Sequence, residues 1–308
     1  MTANVSLAAV KTAFATASHV AHRAPAGEAA PAWFVEELAP GLHQRLRIDR
    51  MIYQEEGLQK IAIFDNAEFG RVLALDDAIQ VTERDEFIYH EMMAHVPLLA
   101  HGAARRVLIV GGGDGGMLRE VLKHRTVERA VLVEIDEAVV ALCRKHLPMI
   151  CGEAFEDPRT ELVIADGFAF VRDTDERFDL ILIDSPDPQG PGEILFSEEF
   201  YRHCRDRLAP GGVIVAQAGS PFFQTPVLRK TVRRLKPLFR DVAVFTATVP
   251  AYGGLYAFAW ASDDMLKRNM TTLQAAARFS AAQIETRSYT PAVHCASFIL
   301  PGFMREFS

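Results

Sequence analysis

The chain has 308 residues, of which 49% are hydrophobic and 24% are charged, so it is long enough for one large globular domain and a smaller one. Its formal net charge is -7 and no run of lysine and arginine occurs, which excludes the basic surface that nucleic-acid-binding proteins present to phosphates. The four cysteines lack CxxC spacing, so neither a zinc site nor a disulfide framework is indicated, and reduced thiols in a cytoplasm are expected.

The first 30 residues are rich in alanine and threonine and are interrupted by Lys11, His19 and Arg23. No apolar run among them is long enough for a signal peptide or a membrane span. We predict that residues 1–30 form a poorly ordered tail. A short helix that docks on a neighbouring element is the alternative.

Strand-like runs follow between about Trp33 and Val81, separated by polar or glycine-containing turns. They predict a small antiparallel sheet, which we assign to an N-terminal β domain over residues 31–84. The runs are 45–48, 60–64, 70–75 and 78–81.

From residue 85 onward, helices and strands alternate. Residues 85–101 predict an amphipathic helix. Strands are then predicted at 106–110, 129–136, 160–167, 178–184 and 212–219, and helices at 117–124, 137–147 and 197–208. This alternation predicts an α/β domain over residues 85–308 with a doubly wound, Rossmann-like parallel sheet. Ligands of such sheets bind beyond the carboxyl ends of the strands, so residues just after each strand carry most information.

A glycine-rich turn, 111–116, follows the first of these strands and opens a helix. Glycines allow a tight turn and a close approach of a ligand to the backbone, although the pattern fits tight packing equally well. About 20 residues further on, Glu134 ends the next strand, where a carboxylate can accept hydrogen bonds from both ribose hydroxyls. A solvated strand end is the alternative for Glu134. Asp166 and Gly167 end the following strand, where Asp166 either accepts from an adenine amino group or forms a simple turn.

Asp114 lies within the glycine turn and narrows the choice of ligand. Pyrophosphate would sit over the backbone amides of such a turn, so a negative charge there disfavours a dinucleotide. The carboxylate of S-adenosylmethionine would also be repelled. A decarboxylated sulfonium nucleoside carries only an amine on that arm and would be attracted. Asp114 could instead point to solvent or cap the following helix.

Two carboxylates, Asp184 and Asp187, stand three residues apart at the end of an apolar strand. Together with the glycine turn, they suggest an enzyme that handles a cation. Taken alone, Asp187 could simply start a turn with Pro188. Tyr89 and His90 could likewise be ordinary core residues of their helix.

Six runs of the sequence resemble, in order and at family-like spacing, the spermidine synthases, which are polyamine aminopropyltransferases. The likeness extends from about Trp33 to the C terminus. It implies a methyltransferase-like fold and transfer of an aminopropyl group from decarboxylated S-adenosylmethionine, a co-substrate, to putrescine, giving spermidine and methylthioadenosine without a metal or prosthetic group. It also implies a homodimer or homotetramer joined through the N-terminal strands. The runs are 79–93, 107–121, 133–136, 166–168, 184–196 and 293–301.

The resemblance implies a role for each matching residue. Asp184 corresponds to the proton acceptor, and His90 and Asp114 correspond to residues that hold the polyamine or the aminopropyl amine. The polyamine-binding segment corresponds to Asp184, Ser185, Pro186 and Asp187. The pocket tyrosines and the far wall of the diamine groove correspond to Tyr89, Tyr252 and Gln217. The residues lining methylthioadenosine correspond to Gln59, Glu134, Asp166, Gly167 and Pro191.

These roles agree with the chemistry of the reaction. A primary ammonium has a pKa near 10, so presenting the free amine at neutral pH costs roughly 4 kcal/mol. A carboxylate within hydrogen-bond reach can accept the proton and orient the nitrogen lone pair. Holding the two reactants in line would supply much of the remaining rate gain.

Three positions depart from the family pattern, namely Pro186 in place of Ser or Thr, Ala251 in place of Thr, and Lys60 in place of an acid. They leave the acceptor open, with cadaverine, agmatine or spermidine as alternatives to putrescine. Two other functions also stay open. One is an S-adenosylmethionine methyltransferase on the same fold, and the other is a non-catalytic protein that stores or senses polyamines.

Overall fold

The computed structural model describes residues 31–186 and 190–307, without the side chains of Gly190 and Pro191. The predicted tail over residues 1–30 therefore lies outside the described residues, as does Asp187.

The N-terminal strands form two small sheets, where the sequence predicts one. A two-stranded sheet pairs β1 with β2, and an antiparallel sheet has the order β3-β4-β5-β6. One face of the second sheet packs on the helical segment around Val139 and Ile150, and the other face packs on Phe34 and Ala251. The boundary near residue 84 stays a prediction. The strands are β1 Ala32–Ala39, β2 Leu42–Ile48, β3 Arg50–Glu56, β4 Lys60–Asn66, β5 Gly70–Leu75 and β6 Ala78–Thr82.

In the described part of the chain, a larger sheet has seven strands in the order β12-β13-β11-β10-β7-β8-β9. The strands from β7 to β11 pair in parallel, as predicted, whereas β13 and β12 add an antiparallel edge. The order reverses between β7 and β10, and their carboxyl ends open the crevice in which doubly wound sheets bind ligands. The strands are β7 Arg106–Gly111, β8 Arg129–Glu134, β9 Thr160–Ile164, β10 Phe178–Asp184, β11 Leu208–Gln217, β12 Asp241–Val249 and β13 Gly254–Ser262.

Helices cover both faces of this sheet, because alternate side chains of each strand point to opposite faces. Val107 and Ile109 of β7 pack with α1 and α2, and Leu108 and Val110 pack with α6 and α7 on the other face. The helices are α1 Glu86–His101, α2 Gly116–Leu122, α3 Glu137–His146, α4 Pro148–Cys151, α5 Gly167–Asp173, α6 Glu198–Asp206, α7 Thr225–Leu235, α8 Met265–Arg268, α9 Thr272–Ala282 and α10 Pro291–Ser297. None of these helices combines the length and the apolar character that a membrane span requires.

The prediction that residues 85–101 form an amphipathic helix is wrong in one respect, since α1 is buried on nearly every side. Its polar residues are buried together with its apolar ones. The carboxylate of Glu91, for example, accepts hydrogen bonds from the backbone amides of Arg287, Ser288 and Tyr289 at 2.7 to 2.8 Å. Buried polar groups are tolerated when such partners satisfy them.

Gly111 occupies the closest approach between β7 and β10, and its substitution tests this geometry. Its φ is 86°, and an added Cβ would lie 2.2 Å from the carbonyl oxygen of Asp184. We therefore expect Gly111→Ala to destabilise the protein by about 3 kcal/mol or more, since both backbone strain and the clash oppose it. Urea unfolding measures this, with Gly302→Ala as the control because a Cβ there meets no atom within 4 Å. Equal stability of the two variants would contradict the described packing.

Candidate active site

Asp184 and the glycine turn face each other across the crevice between β10 and β7. Asp184 ends β10 and is the register partner of Gly111, the last residue of β7. A Cβ on Gly112 would lie 2.9 Å from Asp184 Oδ2. Gly112 therefore lets the turn approach this carboxylate more closely than a residue with a side chain would.

One oxygen of the Asp184 carboxylate is bonded and the other is not. Tyr89 donates its hydroxyl to Oδ1 at 2.6 Å, whereas Oδ2 is shielded from solvent and has no partner among the described residues. Burial, reinforced by the nearby charge of Asp114, raises the pKa of Asp184 to about 6, even though His90 and Tyr89 oppose the shift. Asp184 therefore offers a basic, unoccupied oxygen inside the crevice.

We expect the carboxyl group of Asp184 to titrate near pH 6, well above the ordinary value of about 3.9 for aspartate. It is then mostly ionised at pH 7 and is neutralised as the pH falls through 6. Carbon-13 NMR of labelled aspartate measures this, and the signal that disappears in Asp184→Asn assigns it. A midpoint near 4 would show that the carboxyl is not desolvated.

Asp114 lies beside Asp184 and forms a pair with His90. Its Oδ1 accepts a hydrogen bond from the amide of Gly116 at 2.6 Å and lies 3.5 Å from Nε2 of His90. Burial would raise the pKa of Asp114, but the charge of His90 holds it below the usual range. Asp114 thus contacts the first residue of α2, close to the helix-capping role that was the alternative for it. It also lies next to His90 and Asp184, the residues with which the resemblance groups it.

His90 is only 2% exposed and is wedged between two carboxylates. Its Nδ1 lies 2.7 Å from Oε2 of Glu86, and its ring contacts the α2 start so closely that a Cβ on Gly116 would lie 2.2 Å from Cε1. Burial would lower the pKa of His90, but Asp114 and Glu86 raise it to about 10.

An aromatic wall, formed by Tyr89, Tyr252, Tyr256 and Phe258, borders Asp184. The ring of Tyr89 lies 5.8 Å from that of Tyr252, 5.7 Å from that of Tyr256 and 5.2 Å from that of Phe258. Burial and the charge of Asp184 raise the pKa of Tyr89 and of Tyr252, so both hydroxyls stay neutral hydrogen-bond donors. Electron-rich aromatic faces next to carboxylates attract ammonium groups.

Gln217 is 2% exposed and its amide fixes the chain just beyond Asp184. Its Nε2 donates to the carbonyl of Ser185 at 3.0 Å, and its Oε1 accepts from the hydroxyl of Tyr256 at 2.7 Å. The hydroxyl of Ser185 is buried without a partner among the described residues, and Pro186 is half-buried. The far-wall role of Gln217 stays a prediction, but its contacts bring it to the acidic turn.

Two of the residues predicted to bind the nucleoside, Glu134 and Asp166, lie at the carboxyl ends of the neighbouring strands β8 and β9. Glu134 is 8% exposed, which excludes the solvated strand end, and its Oε1 accepts from the amide of Asp136 at 3.0 Å. Burial raises its pKa. A Cβ on Gly113 would lie 3.0 Å from Oε2 of Glu134, so the glycine turn and this carboxylate are neighbours.

The other four nucleoside candidates lie in different surroundings or outside the described side chains. Asp166 is exposed and caps α5 by accepting from the amide of Ala169 at 3.0 Å, and Gly167 packs against Val110. Gln59 is half-buried in the turn between β3 and β4. The side chain of Pro191 lies outside the described residues.

Sequence reasoning missed four residues of this site, namely Glu86, Arg119, Tyr256 and Phe258. Glu86 stands four residues before His90, a spacing that places both on one side of a helix and could have identified it. Arg119, Tyr256 and Phe258 are brought in by other elements, and no local pattern marks them.

The arrangement can bind a cation and accept a proton. It combines a free carboxylate oxygen on Asp184, the Asp114–His90 pair and the aromatic wall. Among the residues that the structure describes, no group of three or more histidine, cysteine or carboxylate side chains is arranged to hold a metal.

Two family models match the chain. The spermine/spermidine synthase domain matches residues 86–272, and the spermidine synthase tetramerisation domain matches residues 32–83. The two matched segments cover the part of the chain, from about residue 32 onward, in which the sequence resembles the family.

Relatives of known sequence and structure agree with these models. The chain is 51% identical over 275 residues to polyamine aminopropyltransferase 1 of Pseudomonas aeruginosa, covering 89% of this chain and 96% of that protein. It is 48% identical over 276 residues to the polyamine aminopropyltransferase of a Ruegeria species, covering 89% and 97%.

Two crystal structures superpose closely on the chain. A spermidine synthase in complex with the transition state analogue AdoDATO has a TM-score of 0.85 and 38% identity, covering 91% of this chain and 96% of that one. The spermidine synthase of Thermotoga maritima has a TM-score of 0.82 and 37% identity, covering 91% and 95%. The chain therefore belongs to the spermine/spermidine synthase family and is a transferase of the polyamine aminopropyltransferase type.

Proposed function

We propose that the chain is a spermidine synthase that transfers the aminopropyl group of decarboxylated S-adenosylmethionine to putrescine. The observation that carries this proposal is the unpartnered, buried Oδ2 of Asp184, which lies beside the glycine turn and the aromatic wall. A basic oxygen at this point can accept the proton of an attacking amine.

Asp184 acts as the general base in this mechanism. The ammonium of putrescine gives its proton to Asp184 Oδ2, and the nitrogen lone pair attacks the aminopropyl carbon bonded to the sulfonium. The new carbon–nitrogen bond forms as the carbon–sulfur bond breaks, and its electron pair neutralises the sulfur of methylthioadenosine. Tyr89, which donates to Oδ1 of Asp184 at 2.6 Å, keeps the carboxylate oriented during this step.

Asp114 and His90 hold the amine of the aminopropyl arm, and Asp184 to Asp187 bind the diamine. Glu134 accepts hydrogen bonds from the ribose hydroxyls, with Gln59, Asp166, Gly167 and Pro191 around the rest of the nucleoside. The burial of Glu134 beside Gly113 supports this assignment. The solved spermidine synthase bound to AdoDATO supports a shared site for both reactants.

A matched series of amines tests whether putrescine is the acceptor. With decarboxylated S-adenosylmethionine fixed, the value of kcat/KM is measured for putrescine, cadaverine, agmatine and spermidine by release of methylthioadenosine. We expect putrescine to exceed the others by at least about tenfold, because one extra methylene changes binding by about 1 to 3 kcal/mol in a closed pocket. A higher value for any other amine would reassign the acceptor.

The proposal also covers the oligomeric state of the protein and its location in the cell. The match of residues 32–83 to a tetramerisation domain supports a homo-oligomer, a dimer or a tetramer, joined through the N-terminal strands. All four cysteines are free thiols, which supports a cytoplasmic location.

A further inference from the structure

Glu86 is a buried carboxylate that the mechanism above does not use. It is 6% exposed and lies one helical turn before His90 on α1. Its Oε2 lies 2.7 Å from Nδ1 of His90. Burying a carboxylate is costly unless charged or hydrogen-bonding partners compensate it, so its position calls for an explanation.

Arg119 of α2 fixes the carboxylate of Glu86 in place. Its Nη2 donates to Oε1 and Oε2 of Glu86 at 3.0 and 2.8 Å. The guanidinium is itself held by Glu120 and by the carbonyls of Met149 and Ile150. Because Arg119 is bound on several sides, Glu86 cannot turn away from His90 without breaking this set of contacts.

This contact decides which nitrogen of His90 carries a proton. An ionised carboxylate can only accept hydrogen bonds, so Nδ1 of His90 must be the donor to Glu86. The other nitrogen, Nε2, then faces Asp114 at 3.5 Å. Nε2 donates when the ring is charged and offers a lone pair when the ring is neutral.

We propose that Glu86 is a positioning residue that fixes a proton on Nδ1 of His90, so that Nε2 donates to Asp114 in the empty site and accepts from the aminopropyl ammonium when the donor substrate is bound. The second half of this inference rests on the proposed function. On binding, the Nε2 proton leaves to solvent, and the incoming ammonium supplies the N–H that replaces it.

The charges around His90 support a ring that is charged before binding and neutral after it. Glu86 faces the ring from its own helix, Asp114 from the glycine turn and Asp184 from β10, while Arg119 of α2 pairs with Glu86. With Asp114 and Glu86 outweighing burial, the pKa of His90 is about 10 in the empty site. A substrate ammonium beside Asp114 would repel the charged ring and favour release of its proton.

The test compares Glu86→Gln with Glu91→Gln, a matched change of a second buried carboxylate on the same helix. Nitrogen-15 NMR follows the titration of His90 in the ligand-free protein, with His90→Asn to assign its signals. We expect Glu86→Gln to lower the titration midpoint by about one pH unit or more, because a charged partner is lost. Glu91→Gln should leave the midpoint unchanged, since Glu91 contacts the backbone of residues 287–289.

Binding of decarboxylated S-adenosylmethionine supplies the second readout. Calorimetry at about pH 9.5 in buffers of different ionisation enthalpy should show release of most of one proton by the wild type and clearly less by Glu86→Gln, because His90 of the variant is then mostly neutral before the substrate binds. The KM for this substrate should rise about tenfold in Glu86→Gln, and His90→Asn combined with it should add little, since both act through one interaction.

The outcomes separate this inference from the proposed function. If Glu86→Gln and Glu91→Gln leave the titration of His90 equally unchanged, Glu86 is merely structural and the inference is overturned. If Glu86→Gln fails to fold, Arg119→Lys gives the same test, because it loosens Glu86 and should shift the midpoint in the same direction. A shifted midpoint in a protein that makes no methylthioadenosine would overturn the proposed function and leave the positioning of His90 intact.

Discussion

Asp184→Asn is expected to lower kcat by about three orders of magnitude while leaving the fold intact, because removing a general base costs about 10² to 10⁴ in rate. The amide cannot take the proton that Oδ2 is placed to accept. Its Oδ1 can still accept from Tyr89, so the local geometry should persist. Steady-state release of methylthioadenosine measures the rate, and thermal unfolding measures the fold.

The raised pKa of Asp184 determines the direction in which Asp184→Asn changes the stability of the fold. The pKa of Asp184 is raised to about 6 in the folded protein, above the unfolded value of about 3.9. Stability from this group is therefore present below pH 4 and is lost as the pH rises through 6, so Asp184→Asn should not lower the Tm at pH 7. Asp179→Asn is the control, since Asp179 lies at the opposite end of the same strand, where it accepts hydrogen bonds from the amides of Arg105 and Arg106. Near-normal turnover in Asp184→Asn would remove Asp184 from the base role.

Asp114→Asn is expected to abolish most of the preference for the decarboxylated substrate. The aminopropyl ammonium loses its charged partner, so its KM should rise about 100-fold, as when a buried charged hydrogen bond is lost. Intact S-adenosylmethionine should bind more tightly than it does to the wild type, because the repulsion between two carboxylates is gone. Calorimetry with both compounds measures the two affinities.

The hydrogen bond of Asp114 to the start of α2 needs its own control. Asn can still accept from the amide of Gly116, so α2 should begin as before. Asp264→Asn changes another aspartate that binds a backbone amide at a helix start, since Asp264 accepts from Leu266 of α8 at 3.0 Å, and it should alter neither affinity. An unchanged ratio of the two affinities in Asp114→Asn would show that Asp114 does not select the substrate.

The parallel core of the fold and the clustering of three candidate residues were predictable because their signals are local. Apolar strands followed by glycine or aspartate mark the carboxyl edge of the sheet, and this reasoning brings Asp184, Asp114 and Glu134 to one crevice. The antiparallel edge was not predicted, although β12 and β13 are apolar. The direction of a strand depends on its neighbours in space, and no local pattern records them.

The buried character of α1 was misjudged for a related reason. Glu86, His90 and Glu91 have the composition of a solvated helix face, but distant residues satisfy them in the interior. Arg119 comes from another helix, and the amides that bind Glu91 come from residues 287–289. Tyr256 was missed because an aromatic residue in a strand usually indicates only core packing. Its bond to Gln217 depends on the pairing of β13 with β11.

The most direct measurement incubates the protein with putrescine and either decarboxylated or intact S-adenosylmethionine and identifies the products by mass spectrometry. With the decarboxylated compound, we expect one methylthioadenosine for each spermidine formed, and with the intact compound no transfer. Methylated amine from the intact compound, or no methylthioadenosine from the decarboxylated one, would contradict an acidic crevice that selects a cationic arm and deprotonates the attacking amine.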